Sequence, residues 1–336
     1  MPNASVVIPT RNGLDYLPDC LASLERQTLP DIEVIVVDNG STDSSRAYLA
    51  KAYPWVRTIF LEQNFGFAAA CNIGIEASRG RFVALLNNDA RASPDWLEHL
   101  VLAADLRPRI GMVASKILSD LETRTIDSAG MLIYPDGIGR QRGRGQVDSG
   151  QFDGATETLF PSGCAALFRR EMLADIGLFD EDFFAYCEDT DLGLRGVLAG
   201  WEAVLAPRAE VHHLYSKTVG AYTTFKAFHV ERNRIWVSLK TFPPSWLSRM
   251  PAFTVVRYAV QMYGLVSSRG ATARMHSQVS FAGMLKTLAR AYGAALAKTR
   301  VMLARRKQLP RRIAPAQLAG KMKAHRVPVT ELILED

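Results

Sequence analysis

The sequence has few cysteines, and their spacing suits neither a zinc site nor a disulfide framework. Four cysteines occur in 336 residues, without a Cys-x-x-Cys pair. This spacing argues against a zinc ribbon and against a small secreted domain held together by disulfides. No window offers 18 uninterrupted apolar residues, so no membrane-spanning helix is predicted. The first residues, MPNASVVIPT, run directly into a strand pattern, so we expect no secretory signal and a cytoplasmic location.

Two glycine-rich phosphate-binding motifs are also missing. The turn after the first predicted strand reads PTRNGLDYL, which contains neither a GxGxxG fingerprint nor a Walker A motif. A dinucleotide-dependent dehydrogenase and a P-loop enzyme are therefore poor fits. A diphosphate ligand would need its charge neutralised in another way, and a divalent cation held by Asp89 is the obvious candidate.

Acidic residues are scarce in the last third of the chain. Residues 217–336 contain 21 Lys and Arg but 4 Asp and Glu, whereas residues 1–216 contain 19 and 30. The net charges are therefore +17 and −11, which favours two regions, 1–216 and 217–336, with different roles. We expect the basic region to bind a polyanion, either a membrane surface or a nucleic acid.

The first 115 residues alternate apolar strand patterns with amphipathic helical patterns. This alternation predicts an α/β fold with a mainly parallel sheet covered by helices on both faces. The predicted strands are 5–9, 33–38, 56–61, 81–87 and 110–115, and the predicted helices are 15–27, 43–52, 67–78 and 94–105. A Gly- and Arg-rich loop region is expected over 116–160, followed by a second compact segment over 159–215.

Beyond residue 217 the pattern is helical, with interruptions at 242–246 and near 268–278. The stretch 281–312 places apolar residues on one face and Lys and Arg on another, as in helices that bind anionic interfaces. Packing of this helix against the main domain is the alternative, and the sequence leaves both open.

Short polar side chains follow each of the first four predicted strands. In an open parallel sheet, ligands bind at the carboxyl ends of the strands. Any one of these residues could be a turn former or a helix cap, but four equivalent positions favour a polar ligand site. The residues are Thr10, Arg11 and Asn12, then Asp38, Asn39 and Ser41, then Asn64 and Asn72, and finally Asn87, Asn88 and Asp89.

Three acids, Glu188, Asp189 and Asp191, crowd the start of a predicted helix, directly after aromatic residues. Acids are favoured at a helix N-terminus by the helix dipole. Their burial is costly unless a partner compensates, which is also typical of a catalytic carboxylate. The residues by themselves leave both interpretations open.

Five segments occur in a recognisable order over residues 4–216. They read VVIPTRNGLDYLPDCLASLERQT, VIVVDNGSTD, NFGFAAACNIGI, LLNNDA and GLFDEDFFAYCEDTDLGLRGVLAGW. Together they resemble the family 2 glycosyltransferases of the GT-A fold. The later segment VERNRIWVSLKTFPPSW resembles the rhamnosyltransferase-like branch, which builds bacterial cell-wall and O-antigen polysaccharides. The resemblance implies an inverting enzyme that uses a nucleotide-diphospho-sugar and Mg²⁺ or Mn²⁺.

The resemblance also implies roles for the strand-end residues. The Asp-x-Asp metal motif of the family falls on Asn87–Asn88–Asp89, which makes Asp89 the direct ligand and Asn87 a weaker or water-mediated contact. His213, rather than His212, would complete the metal shell. The nucleotide-sugar would be bound by Pro9, Thr10, Asn12 and Asp38 around the nucleoside, and by Asn64, Asn72, Asn87 and Asn88.

In the same way, the resemblance assigns catalysis to the acidic cluster. Asp189 would be the general base that takes the proton from the acceptor hydroxyl, with Glu188 as the alternative base or an acceptor contact. Asp191 would cap the helix or pair with Arg195. Two groups keep open interpretations: a sugar-binding wall or core packing for Phe183, Phe184, Tyr186 and Trp201, and a solvated loop or a diphosphate-binding lid for Arg140, Arg142 and Arg144.

The leading expectation is an inverting glycosyltransferase of bacterial cell-surface polysaccharide synthesis, with rhamnose as one candidate sugar. Its donor would be a UDP- or dTDP-sugar, and its acceptor a saccharide or a polyprenyl-diphosphate-linked saccharide. It would lie at the inner face of the cell membrane, with an anionic membrane surface as partner, no nucleic acid, and an open oligomeric state. The alternatives are a sugar-phosphate nucleotidyltransferase and a non-catalytic binding protein with a basic tail.

Overall fold

The apolar β-branched runs of the sequence form the strands of one central sheet. The computed structural model describes residues 1–154, 157–214, 223–267 and 279–334. The strands are β1 (Ala4–Thr10), β2 (Ile32–Asn39), β3 (Arg57–Leu61), β4 (Phe82–Leu86), β5 (Ala90–Ala92), β6 (Ile110–Asp120), β7 (Thr125–Ser128), β8 (Met131–Ile133), β9 (Gly139–Gln141), β10 (Ala165–Arg169) and β11 (Glu202–His213).

The sheet is parallel in its first half and mixed in its second. Its order is β3-β2-β1-β4-β10-β6-β11-β5, with β7 paired to β6 at the side, while β8 and β9 form a separate hairpin. β1 is parallel to β2 and β4, and β2 is parallel to β3, as the sequence predicts. β10 runs antiparallel between β4 and β6, so the sheet is more mixed than expected.

Residues 116–160 are more regular than predicted, so the expected loop region was wrong in part. Strand β6 continues to Asp120, and β7, β8 and β9 follow it. Glycines and arginines hide these short strands in the sequence, because such strands carry little periodic signal. This region therefore contains one strand paired with β6 and a separate hairpin rather than a loop alone.

Helices follow the strands of the first half and dominate the end of the chain. The four helices predicted before residue 115 are all present, with ends within about three residues of the predicted bounds. The helices are α1 (Leu17–Glu25), α2 (Ser45–Ala52), α3 (Phe67–Ala77), α4 (Trp96–Asp105), α5 (Arg170–Ile176), α6 (Glu188–Leu198), α7 (Thr224–Thr241), α8 (Pro244–Leu247), α9 (Met250–Val266), α10 (Phe281–Ala297), α11 (Thr299–Gln308), α12 (Pro315–Ala324) and α13 (Val329–Leu334).

The C-terminal helices share a hydrophobic core with the sheet. One cluster of buried side chains joins Val7 and Phe168 from the strands to Trp236, Met302 and Leu318 from the later helices. The change in charge near residue 216 therefore marks a change in composition rather than a separate core. The interruption predicted at 242–246 is the turn into α8, and the one near 268–278 lies outside the described residues.

The predicted basic helix over 281–312 divides into α10 and α11 at Lys298, and both pack on α7. Several of its cations bind other parts of the protein. Arg305 pairs with Asp180 at 2.6 Å, and Arg306 donates to the carbonyl oxygens of Leu239 and Phe242. Packing, the alternative left open by the sequence, therefore describes most of this stretch. None of the helices in the described part of the chain is both long and apolar enough to cross a bilayer.

Candidate functional site

The carboxyl ends of β2, β1 and β4 lie side by side and bring the predicted strand-end residues together. Thr10 is the register partner of Asp38, and Thr10 Oγ1 accepts a 2.9 Å hydrogen bond from Asn88 Nδ2. Gly13 lies against the side chains of Thr10 and Asn88, and a Cβ at this position would come within 2.2 Å of Asn88. The sequence therefore folds a tight polar edge at the position where an open sheet binds ligands.

Asp38 presents a free acceptor at this edge. Its side chain is fully buried, and its Oδ1 accepts hydrogen bonds from Arg46 Nε and the Ser41 amide, each at 3.0 Å. Its Oδ2 is buried without a hydrogen-bond partner among the described residues. Such an orphaned atom is costly unless a ligand donor meets it. Asn12, at positive φ, orders the neighbouring loop by accepting a 2.8 Å hydrogen bond from the Thr42 amide.

The side chains of Asn64 and Asn72 form hydrogen bonds with neighbouring loops of the protein. Asn64 Oδ1 accepts from Asn39 Nδ2 at 3.0 Å and from the Gly66 amide at 2.9 Å. Asn72 Nδ2 donates to the Phe179 carbonyl and to Glu181, and its Oδ1 accepts from the Phe179 amide. Both asparagines therefore support the loops around the edge, and their contact with a nucleotide-sugar stays a prediction.

Asp89, His213 and Asp127 form a buried chain of polar contacts. His213 Nε2 lies 3.3 Å from Asp89 Oδ1, and His213 Nδ1 lies 2.9 Å from Asp127 Oδ2. All three side chains are less than a tenth exposed. The pairing of β11 with β5 aligns His213 with Ala90, which explains why this histidine, and not His212, reaches Asp89.

These residues offer two ligand atoms, one oxygen and one nitrogen, to a divalent cation. A gap of 3.3 Å between them suits two adjacent ligands of one ion with bonds of about 2.1 Å. No group of three or more His, Cys, Asp and Glu side chains fit to hold a metal occurs in the described ranges. Any ion here would therefore need oxygen atoms from a bound ligand, and Asp127 would hold the histidine ring from behind.

Glu188, which is buried, and Asp189, which is half-buried, begin helix α6 as a pair of carboxylates with different surroundings. Asp189 Oδ2 accepts a 3.1 Å hydrogen bond from the Gly163 amide, and Asp189 Oδ1 accepts one from the Thr190 amide at 2.6 Å. Glu188 Oε2 has no hydrogen-bond partner within the described part of the chain.

Burial raises the pKa of both carboxyls above its ordinary value. For Glu188 the neighbouring charge of Asp189 raises the pKa further. For Asp189 the hydrogen bonds from Gly163 and Thr190 oppose the rise in pKa, because they favour the charged form. The pair is therefore arranged so that Asp189 ionises more readily and Glu188 holds its proton.

Two consecutive residues, Gly163 and Cys164, form hydrogen bonds with both parts of the site. The Gly163 amide binds Asp189, while the Cys164 carbonyl accepts a 2.8 Å hydrogen bond from the Asn87 amide, two residues before Asp89. This is the entry to β10, which lies next to β4 in the sheet. Asp189 and the turn that carries Asp89, 100 residues apart in sequence, are thereby both hydrogen-bonded to one short segment.

Comparison with known families decides the relationship. The model of Glycosyl transferase family 2 matches residues 5–177, about half of the chain. The chain belongs to this family. The family gives no support to the nucleotidyltransferase alternative.

Two relatives illustrate how family 2 members resemble this chain. The N-acetylglucosaminyl-diphospho-decaprenol L-rhamnosyltransferase of Mycobacterium tuberculosis is 31% identical over 243 residues, which cover 64% of this chain and 77% of that protein. The O-antigen biosynthesis protein RfbC of Myxococcus xanthus is 27% identical over 256 residues, which cover 73% of this chain. The chain spans 19% of RfbC and 25% of the uncharacterized protein y4gI of Sinorhizobium fredii.

Solved structures show the fold of this family 2 chain. GalNAc-T7, crystallised with UDP, GalNAc and Mn²⁺, has a TM-score of 0.60 at 16% identity over 74% of this chain and 50% of its own. Residues 1–349 of S. aureus TarS, crystallised with UDP, have a TM-score of 0.53 at 15% identity over 97% of this chain and 90% of their own. The predicted GT-A fold is confirmed.

Helix α7 holds the loop before the acidic pair, a contribution that the sequence analysis missed. Asn233 is fully buried, and its Nδ2 lies within 2.6–3.0 Å of the carbonyl oxygens of Phe183, Ala185 and Tyr186. This loop needs support, since Phe184, Tyr186 and Cys187 all have positive φ. In the sequence, Asn233 was part of the VERNR segment, which was noted only for its resemblance to the rhamnosyltransferase-like branch. No feature of the sequence pointed to Asp127.

The predicted aromatic wall is divided by the structure. Phe183 is buried against Trp236, and Trp201 donates to Asp175 on another part of the molecule, so both belong to the packing. Phe184 and Tyr186 stay partly exposed beside the acidic pair, and each contacts the exposed Phe225 of α7. Of the four predicted residues, only Phe184 and Tyr186 therefore remain accessible as an aromatic patch beside the acidic pair.

The predicted arginine loop is neither a solvated loop nor a free lid. Arg140 lies in β9, and Arg142 donates to the carbonyl oxygens of Ala129 and Glu157. Arg144 lies 3.8 Å from Asp127. Asp191 pairs with Arg195 at 2.8 Å, as expected.

Proposed function

We propose that this protein is an inverting, divalent-metal-dependent glycosyltransferase. It transfers a sugar, with rhamnose the first candidate, from a nucleotide-diphospho-sugar to a lipid-diphosphate-linked saccharide in cell-surface polysaccharide synthesis. The observation that carries the proposal is that the Gly163–Cys164 segment hydrogen-bonds both to Asp189 and to the Asn87 amide, two residues before Asp89. One crevice would then contain a cation-binding carboxylate, Asp89, and a separate carboxylate, Asp189, suited to accept a proton.

The strand edge would bind the nucleoside. The orphaned Asp38 Oδ2 would accept a hydrogen bond from a base N–H or a ribose hydroxyl. Pro9, Thr10 and Asn88 would shape the wall beside it, and Asn12 would order the loop that covers it.

Asp89 and His213 would hold Mg²⁺ or Mn²⁺ together with the donor diphosphate, with Asn87 as a weaker contact. When bound, the cation offsets the negative charge that develops on the departing nucleotide. Asp127 would accept the Nδ1 proton of His213, so that Nε2 faces Asp89. Two solved GT-A structures that contain Mn²⁺ support this choice of ion.

Asp189 would activate the acceptor. Its carboxylate takes the proton from the acceptor hydroxyl as that oxygen attacks the anomeric carbon. The bond from the anomeric carbon to the diphosphate oxygen breaks on the opposite face, so the configuration inverts. A protonated Glu188 avoids a second buried charge and can donate a hydrogen bond to the acceptor.

The sugar and the acceptor are supported by one relative. The Mycobacterium tuberculosis protein is named for transfer of L-rhamnose to an N-acetylglucosaminyl-diphospho-decaprenol. The teichuronic acid and O-antigen names of other relatives fit the same class of product.

Nucleotide release from UDP-, dTDP- and GDP-sugars by the purified chain tests this proposal. We expect release with one nucleotide class, its loss on chelation with EDTA, and its return with Mn²⁺ or Mg²⁺. Asp89→Ala should abolish the metal response without unfolding the protein. A chain that binds DNA with steep salt dependence and releases no nucleotide would instead be the non-catalytic binding protein.

A further inference from the structure

Helix α9 directs five of its large apolar side chains away from the protein. Only Arg257 and Gly264 are buried on this 17-residue helix. Its exposed large side chains are Val255 (67%), Val256 (46%), Met262 (46%), Tyr263 (59%) and Val266 (83%). At 100° per residue these five lie on one face. A surface helix of a globular protein normally has the opposite arrangement.

The polar side chains of α9 are bound inside the protein. Arg257 donates to Asp136 at 2.6 Å and to Glu231 at 2.8 Å, and Tyr258 donates to Glu231 at 2.9 Å. Arg257 and Asp136 are fully buried. Rotating the helix to bury its apolar face would break these ion pairs and leave buried charges without partners, which is strongly unfavourable. The outward apolar face is therefore a fixed feature of the fold.

Helix α10 extends this surface and adds positive charge. The hydroxyls of Tyr258 and Tyr292 meet at 3.0 Å, so α9 and α10 lie next to each other. On α10, Phe281 and Leu285 are 44% and 51% exposed, and the neighbouring Lys286 and Arg290 are exposed as well. α9 itself contributes no charge to the outward surface, because Arg257, its one charged residue, is buried.

We propose that the outward face of α9, together with Phe281 and Leu285, binds the surface of a membrane that contains anionic lipids. The helix would lie parallel to the bilayer plane with its apolar side chains among the upper acyl chains. Its 17 residues span about 25 Å, which is less than the bilayer core requires. Lys286 and Arg290 would meet the head groups.

The charge of the region favours a membrane over a second copy of the chain. Residues 217–336 have a net charge of +17. A symmetric dimer through α9 would bring two such regions together, and their repulsion would oppose association. An anionic surface attracts the same charge. The inference goes beyond the proposed function, since it does not depend on the donor or on the acceptor.

Vesicle co-sedimentation of the full chain tests the inference. We expect the protein to sediment with phosphatidylcholine–phosphatidylglycerol vesicles and more weakly with phosphatidylcholine alone. The triple variant Val255→Ser, Tyr263→Ser and Val266→Ser should partition at least about tenfold less. A matched double variant, Leu102→Ser and Leu106→Ser, alters one exposed leucine of α4 and another directly after it, and should bind like the original chain.

Three outcomes would overturn the inference: no binding of the original chain to anionic vesicles, equal binding of the triple variant, or a dimer that the triple variant converts to monomer without any vesicle binding. Circular dichroism checks that the triple variant folds. If it does not, Lys286→Gln with Arg290→Gln should remove the preference for anionic vesicles, and an unchanged preference would count against the proposal. Nucleotide release should persist in every folded variant, which separates this surface from the crevice.

Discussion

Asp189 and Glu188 are neighbours with different surroundings: burial raises the pKa of both carboxyls, and hydrogen bonds from Gly163 and Thr190 oppose the rise for Asp189. Asp189→Asn should lower kcat by about 10²–10⁴-fold, because the general base is lost. Glu188→Gln keeps the shape and the neutral state of Glu188, so it should retain most of the activity. Steady-state nucleotide release, with donor binding measured separately, distinguishes the two. A fully active Asp189→Asn variant would contradict the assignment.

The pH profile gives a second measurement of the same residue. The proposed role of Asp189 as general base requires its ionised form, and burial raises the pKa of its carboxyl. Activity should therefore fall as the pH drops through that raised pKa, at a higher pH than the value of about 3.9 for a free aspartate. The acid limb should remain in Glu188→Gln. An acid limb that disappears in that variant would make Glu188 the titrating group.

At this scale, the sequence predicted the positions of part of the proposed site. Asp38 and Asp89 could be found because they lie at or just after the carboxyl ends of clear strands, and the acidic pair because it begins a clear helix. Asp127 and Asn233 could not, because their roles depend on contacts with His213 and with a loop about 50 residues away. Asn64 and Asn72 are polar residues after a predicted strand, but in the structure their side chains form hydrogen bonds within the protein.

Helix α7 controls the geometry of the catalytic loop through Asn233. Asn233→Ala would remove one donor from each of three carbonyl oxygens, although that of Phe183 would keep Arg232, at a cost of about 1–3 kcal/mol. The loop before Asp189 would shift, so kcat should fall about 10–100-fold, while KM for the donor stays near its original value. Kinetics over a range of donor concentrations separates the two constants.

Thr241→Val is the matched control on the same helix. Thr241 is also fully buried, but its hydroxyl bonds only the Val237 carbonyl within α7. This variant should keep both kinetic constants. Equal losses in the two variants would mean that α7 acts through general stability.

The sequence predicted the elements of the first half well and those of residues 116–160 poorly. Long apolar strands such as β1 and β2 have a strong periodic signal. Strands β8 and β9 have three residues each, and their pairing is set by tertiary packing rather than by their own pattern. The antiparallel placement of β10 has no signature in a single sequence.

The whole chain should unfold as one unit, despite its two differently charged regions. Met302, fully buried on α11, packs in the same core as the strands, and Met302→Ala should cost about 2–5 kcal/mol of unfolding free energy. Leu303→Ala, at a site 38% exposed on the same helix, should cost much less. Denaturant unfolding followed by two probes would show one coincident transition. A separate low-stability transition that moves alone in Met302→Ala would indicate an independent C-terminal unit.

The insertion of β10 between β4 and β6 also governs when the protein can become active during its synthesis. β6 leaves the ribosome before β10 and has no neighbour on the β4 side until residues 165–169 arrive. His213 emerges later still. A nascent chain can therefore assemble the proposed nucleoside edge early, but the proposed proton acceptor and cation site are complete only after Asp189 and His213 have been made.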